Sequence, residues 1–200
     1  IHNFDHKSLE ATNVAGLLSC WGVVKEVLVS KRHHLSFVTF ATRSRECASV
    51  TARELSGNRL FAGPLQLEVV TDIHPKYIPN SSRPDSKRLI FRKIQTDIFT
   101  GVKPRLDTHV SRYLLITGAS VFLTEESLIT LLMEIGRPRS VMAVKRESPT
   151  VFQVITRNLS ESVRLVALLQ GLLVDDSRLV VQFTKEGHDR GHQQFLVKPT

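Results

Sequence analysis

The sequence predicts an α+β fold of two successive β-α-β-β-α-β units, each a four-stranded antiparallel sheet with two helices on one face. Three observations predict it. Apolar residues recur at i, i+3, i+4 and i+7 in two places, Val14-Leu17-Leu18-Trp21 and Leu128-Leu131-Leu132-Ile135, the spacing of one helix face. Each helical face is followed by alternating or β-branched runs, a second helical stretch and a last alternating run. Between the two repeats lies a stretch with Pro75, Pro79, Asn80, Ser81, Ser82, Pro84 and Pro104, residues that break regular structure.

In the first repeat the helix face closes at Gly22. Val23 to Val29 is a β-branched run, and Ser30 to His34 is a polar loop. Leu35 to Phe40 alternates as a strand, Ser44 to Leu55 reads as a helix ended near Gly57, and Leu65, Leu67 and Val69 alternate as a final strand. In the second repeat Leu114 and Ile116 mark a strand. Thr124 is placed to cap a helix whose first turn carries Glu125 and Glu126, where carboxylates suit exposed N–H groups. Gly136 closes that helix; Val141 to Val144 and Val151 to Ile155 read as strands. Ser160 to Leu169 reads as a helix closed by Gly171, and Leu179, Val181 and Phe183 make the last strand. The order is the split βαβ or ferredoxin-like arrangement. It leaves one sheet face open in each repeat, where function is expected. The domains run 1–71 and 112–185, joined by a linker at 72–111 that holds one short strand near Arg88 to Ile94, and followed by a polar extension at 186–200.

The net charge is +8, which favours a polyanionic partner, nucleic acid before a membrane surface. Half of that excess falls in 72–111, with 8 basic and 4 acidic residues, chiefly through Lys87, Arg88, Arg92 and Lys93. No apolar run is long enough to span a bilayer, and no leader segment is visible. Cys20 and Cys47 form neither a disulfide framework nor a zinc motif. His188 and His192 have an H-x₃-H spacing, but a zinc site needs about four ligands. No phosphate-binding glycine loop, nucleophile elbow or oriented acid–base pair appears, so no enzyme, cofactor or metal is expected.

Several signatures recur in both repeats. The first helix ends in an apolar residue and a glycine, Trp21-Gly22 and Ile135-Gly136. After the third strand come Glu46, Ala48, Ala52, Leu55 and Gly57, then Gly63, Leu65, Leu67 and Val69. The second repeat has Glu161, Val163, Leu169 and Gly171, then Val174, Leu179 and Val181, with Asp176 at the usual second glycine. Both repeats resemble RNA-recognition-motif (RRM) domains, over about three quarters of the chain. That family binds RNA by stacking bases on aromatics of the two central strands.

The resemblance implies a set of site residues. The family's eight-residue strand motif falls on His33-His34-Leu35-Ser36-Phe37-Val38-Thr39-Phe40. His33, Leu35 and Phe37 take its RNA-facing positions, while Ser36, Val38 and Phe40 take the core positions. On the first strand the motif covers only Ile1-His2-Asn3-Phe4, so its usual aromatic precedes Ile1. His2 is expected beside Phe37. Lys31 and Arg32, in the adjacent loop, and Lys87, Arg88, Arg92 and Lys93 extend the RNA surface. In the second repeat Tyr113, Leu115 and Thr117 face outward, with Val151, Gln153 and Ile155; a one-residue shift of the third strand would expose Phe152 instead. The aromatic pair is missing there either way, so the second domain resembles a degenerate RRM that holds protein through Tyr113, Leu115, Val151, Gln153 and Ile155.

The resulting expectation is a non-catalytic RNA-binding subunit of a ribonucleoprotein assembly, in RNA processing or ribosome-associated. Its partners would be single-stranded RNA and other protein subunits, with no membrane and no small-molecule substrate. The competing expectation is a scaffold subunit with both sheet faces occupied by protein. Nucleus, cytoplasm and mitochondrion all fit either reading.

Overall fold

Helix α1 (Ala11–Leu18) occupies the first predicted helical stretch. Val14, Leu17, Leu18 and Trp21 are all buried, and so are Ala15, Ser19 and Cys20, so burial extends beyond the one face that the spacing marked. The Glu10 N–H donates to Asn13 Oδ1 at 2.8 Å and closes the helix start. The computed structural model describes residues 10–22, 24–30, 37–42, 45–59, 65–67, 69, 86–90, 105–136, 139–185 and 195–196. The chain divides into two units, Ile1–Asp107 and Thr108–Thr200.

In the first unit, α1 is followed by β1 (Val24–Ser30), β2 (Phe37–Thr42), α2 (Arg45–Leu55) and β3 (Ser86–Ile90). The strands form one antiparallel sheet in the order β2-β1-β3. The segment read as a linker therefore contributes a strand to this unit, beginning two residues earlier than the alternation suggested. Farther along, the Arg105 N–H donates to the Cys20 carbonyl at 3.1 Å, so the chain returns to the end of α1. The predicted first strand, Ile1 to Phe4, lies outside the described residues. No strand is assigned among the described residues of 65–69, only a bridge position at Gln66. Leu65 is buried and its backbone is taken by Gly57 and Asn58 instead of by a ladder.

The second unit runs β4 (Tyr113–Thr117), α3 (Glu125–Ile135), β5 (Val141–Ser148), β6 (Val151–Thr156) and α4 (Leu159–Leu169). It continues with the short strands β7 (Leu173–Val174) and β8 (Ser177–Arg178), then β9 (Val180–Thr184) and β10 (Phe195–Leu196). Five strands form an antiparallel sheet in the order β10-β5-β6-β4-β9. Both helices start on side-chain caps. Thr124 accepts from the Ser127 N–H, as predicted, and Asn158 accepts from the Glu161 N–H. Helix α3 packs on β5, and α4 packs on β6 and β9. Between these helices and the sheet lie Leu114, Ile116, Leu128, Leu132, Val144, Phe152, Val154, Val163, Leu169 and Val181, all buried. The sequence did not announce the β7–β8 hairpin. Its turn residues Asp175 and Asp176 both have positive φ, 47° and 59°, which suits a two-residue hairpin turn.

The repetition is metrically regular. Strands β2 and β6 are each six residues long and are each followed, after two residues, by an eleven-residue helix. Leu55 and Leu169, Gly57 and Gly171, and Leu65 and Leu179 are each 114 positions apart. The Gly57 N–H donates to the Leu65 carbonyl at 2.9 Å, and the Gly171 N–H donates to the Leu179 carbonyl at 2.8 Å. Both glycines have positive φ, 80° and 77°, the left-handed region that a side chain disfavours. Gly22 and Gly136 form another matched pair, at the end of the first helix. A Cβ on Gly22 would run into Cys47 Sγ, and one on Gly136 would lie 2.5 Å from the Leu132 carbonyl oxygen. The repetition extends beyond the predicted units: β3 pairs on the free side of β1, and β10 pairs on the free side of β5. In both units a segment downstream of the second helix thus covers the same sheet edge, which protects it from unwanted strand pairing.

Candidate nucleic-acid interface

Register fixes what the sheet of the first unit can present. Val27 on β1 is fully buried and pairs with Phe40 on one side and Leu89 on the other. Residues opposite one another share a face, and faces alternate along a strand. Phe40 thus holds a register position of the buried parity. Phe37 pairs with Ser30, which pairs with Ser86; Thr39 pairs with Leu28, which pairs with Arg88. These two rows have the parity opposite to Val27. Lys87 pairs with Val29 and so has Val27's parity. The two linker cations that the sequence grouped together therefore fall at positions of opposite parity. Phe37 and Arg88 are roughly 12 Å apart by strand spacing and rise. His2, Lys31, Arg32, His33, Leu35, Arg92 and Lys93 lie outside the described residues.

In the second unit, Tyr113 pairs with Ile155, and Leu115 pairs with Gln153. Leu114, Ile116, Phe152 and Val154, the residues between them, are completely buried beneath the helices. Tyr113, Leu115, Val151 and Ile155 are half-buried on the other face. This excludes the shifted register in which Phe152 would be exposed. The Arg146 guanidinium sits 5.3 Å from the centre of the Phe152 ring on the core side. Gln153, at the centre of the sheet face, is only 5% exposed. Its row runs from Gln182 through Leu115 and Gln153 to Lys145. The next row runs from Thr184 through Tyr113, Ile155 and Ala143 to Leu196. At the start of β4 the Tyr113 N–H donates to Ser111 Oγ at 3.2 Å, and the Ser111 hydroxyl donates to the Thr184 carbonyl at 2.5 Å.

Lys145, Gln182, Thr184, Ala143 and Leu196 also stand in these rows, and the sequence pointed to none of the five as face residues. Lys145 was legible in principle, since β5 continues past Val144 and Lys145 pairs with Gln153. Its ammonium is already engaged by the Glu147 carboxylate at 2.9 Å. The face therefore combines one aromatic, two amides, aliphatic side chains and a neutralised cation. It offers few stacking surfaces and little net charge for a phosphate backbone.

Burial pushes the Cys20 thiol from its ordinary 9.0 up to about 12, partly offset by a backbone hydrogen bond, so it stays a thiol at neutral pH. The Cys47 thiol donates to the Trp21 carbonyl at 3.3 Å. Among the described residues, no three His, Cys, Asp or Glu side chains gather as metal ligands would. No helix of the described residues is long and apolar enough to cross a membrane.

No protein-family model and no curated protein matches the chain. Among solved structures, the chain is similar to the crystal structure of the N-terminal three RNA-binding domains of the yeast splicing factor Prp24, with 12% identity and a TM-score of 0.32. The match covers 90% of this chain and 61% of that one, so the chain spans about three fifths of that structure's length.

Proposed function

We propose that this chain is a non-catalytic RNA-binding subunit of a ribonucleoprotein assembly, built from two RRM-like domains. The first domain holds single-stranded RNA on its sheet, and the second holds protein through Tyr113, Leu115, Val151, Gln153 and Ile155. The observation that carries the reading is the register of the first sheet. It puts the aromatic Phe37 and the cation Arg88 at positions of one parity, opposite to buried Val27. A base stacked on Phe37 and a phosphate at Arg88 are within reach of one short strand. Stacking contributes roughly 1–3 kcal/mol per base, and each neutralised phosphate adds a salt-dependent term. His2, Lys31, Arg32, His33, Leu35, Arg92 and Lys93 belong to the same proposed surface from the sequence alone, whereas Lys87, which the sequence also assigned to it, holds the opposite parity on β3.

A protein-scaffold reading is favoured by one observation, the aromatic-poor and nearly neutral face of the second unit. Titrating a fluorescent single-stranded oligonucleotide at several salt concentrations separates the readings. Phe37→Ala is expected to weaken binding by about ten- to a hundredfold. Unchanged affinity would remove the stacking role, and no binding even at low salt would leave the scaffold reading standing.

A further inference from the structure

The loop between β4 and α3 carries a side chain that neither sheet face uses. Phe122 is 84% exposed, and the next most exposed large apolar residues described, Val121 and Leu173, reach 53%. Its neighbours Ala119, Ser120 and Leu123 are buried, so the loop is anchored on both sides of the tip. The Ala119 N–H donates to the Thr150 carbonyl at 3.2 Å, and the Leu123 N–H donates to the Ser120 carbonyl at 3.1 Å. The Phe122 N–H itself donates to Ser120 Oγ at 3.2 Å. The Arg146 guanidinium clamps the loop to the β5–β6 turn, donating to the Val121 carbonyl at 2.9 Å and the Pro149 carbonyl at 2.5 Å. Its backbone N–H donates to Glu125 Oε1 at 2.5 Å. Burying an exposed aromatic against a partner is favourable, because it removes apolar surface from water. One held on a braced loop also gives up little conformational entropy on docking.

The charge around the tip decides what kind of partner fits. The β7–β8 hairpin adjoins this loop, because the Arg178 carbonyl oxygen lies 2.5 Å from where a Gly118 Cβ would be. Glu125, Glu126, Glu147, Asp175 and Asp176 stand at this end of the unit, against Lys145, Arg146 and Arg178. Lys145 is paired with Glu147, whereas Arg146 and Arg178 bond neutral carbonyls and keep their charge, so five carboxylates against three cations leave an excess of two negative charges. Glu126, Glu147, Asp175 and Asp176 are exposed, and so is Arg178. On a chain of net charge +8 this is a locally acidic end, which repels phosphate and attracts cationic side chains.

We propose that the Val121–Phe122 tip inserts into an apolar pocket of a partner protein whose rim carries lysine or arginine. This surface is separate from both sheet faces and does not depend on RNA binding. Phe122 is replaced by the photo-crosslinking residue benzoylphenylalanine in the full chain, in its native cells, with the same replacement at exposed Thr130 as control. The crosslinked protein is identified, its contact residues are mapped, and its affinity is measured with purified wild-type and Phe122→Ala chains. The expected result is one protein crosslinked at 122 and not at 130, through an apolar segment flanked by lysine or arginine. Phe122→Ala then weakens the pair by about thirtyfold, as truncation of a central aromatic anchor does. The substitution leaves thermal stability unchanged, because the side chain lies outside the core. A crosslink to RNA, to a second copy of the chain, or to nothing beyond the control overturns the proposal, and so does an identified partner that binds Phe122→Ala as well as wild type. Loss of RNA binding in Phe37→Ala bears on the proposed function alone.

Discussion

Phe37 and Val151 hold matching positions in the strand–helix segment that the two units share. They are 114 residues apart, each opens the strand before the second helix, and each pairs with a serine, Ser30 or Ser148. Two positions on, Thr39 in the first unit corresponds to Gln153 in the second. The appended edge strand is Ser-Lys-Arg-Leu-Ile in the first unit and Phe-Leu in the second. The nearest face cation of the second sheet, Lys145, is neutralised by Glu147. A shared backbone thus carries an aromatic with an arginine in one copy, and aliphatic and amide groups in the other. The strand–helix–turn segment 37–65 and its counterpart 151–179 share their spacing; the residues at matching sheet positions differ, and function follows that chemistry.

The comparison breaks most visibly if aromatics are removed from the two sides of a sheet. Phe152 is fully buried beneath the helices, so Phe152→Ala should cost about 3–5 kcal/mol of stability in chemical denaturation of the second unit. Phe37→Ala, at the opposite parity, should cost much less than Phe152→Ala in the same measurement. Equal costs would mean that the Phe37 position is part of the first unit's core.

The cations sharpen it further. Arg88→Ala is expected to lower the slope of log affinity for RNA against log salt by about one, while Lys87→Ala leaves it nearly unchanged. Equal slopes for the two variants would show that parity on β3 does not select the RNA-facing cation.

The paired glycines test the repeat itself. Gly57 and Gly171 hold matching turns at φ of 80° and 77°, so alanine at either should destabilise its own unit by about 1 kcal/mol, read as a fall in melting temperature. A loss at one site only would show that the turns are not energetically equivalent.

Cys20 separates the units by pH, because it lies in the first. The Cys20 thiol is held protonated up to about pH 12 in the fold, against an ordinary value of 9.0. The folded state binds this proton more tightly than the unfolded chain. The stabilisation is therefore complete below about pH 9 and is lost as pH rises toward 12. The first unit should lose stability across that window, and Cys20→Ala should flatten the loss.

What the sequence disclosed was local. Helix faces such as Val14-Leu17-Leu18-Trp21, the Thr124 cap and the alternation of β4 and β6 follow from neighbours within one or two turns. Edge pairing does not. The alternation from Arg88 marks a strand but not its partner, and Phe195–Leu196 is too short to show even that; β1 and β5, far away in the chain, supply the edges they pair with. Leu65, Leu67 and Val69 alternate like a strand, yet Leu65 spends its backbone bonds closing the Gly57 turn. Phe122 was hidden for another reason. In the run Val121-Phe122-Leu123, periodicity does not say which apolar residue goes inside, and the Ser120 and Arg146 bonds decide it for Leu123.

Whether RNA lies on the first sheet is read by photo-crosslinking 4-thiouridine-substituted single-stranded RNA to the full chain and mapping the crosslinked residues by mass spectrometry. Crosslinks are expected on the strand containing Phe37 and on the Ser86–Ile90 strand, and none on Tyr113, Val151 or Ile155. Crosslinks centred on the second unit's sheet, with the Phe37 strand unmarked, would contradict that placement.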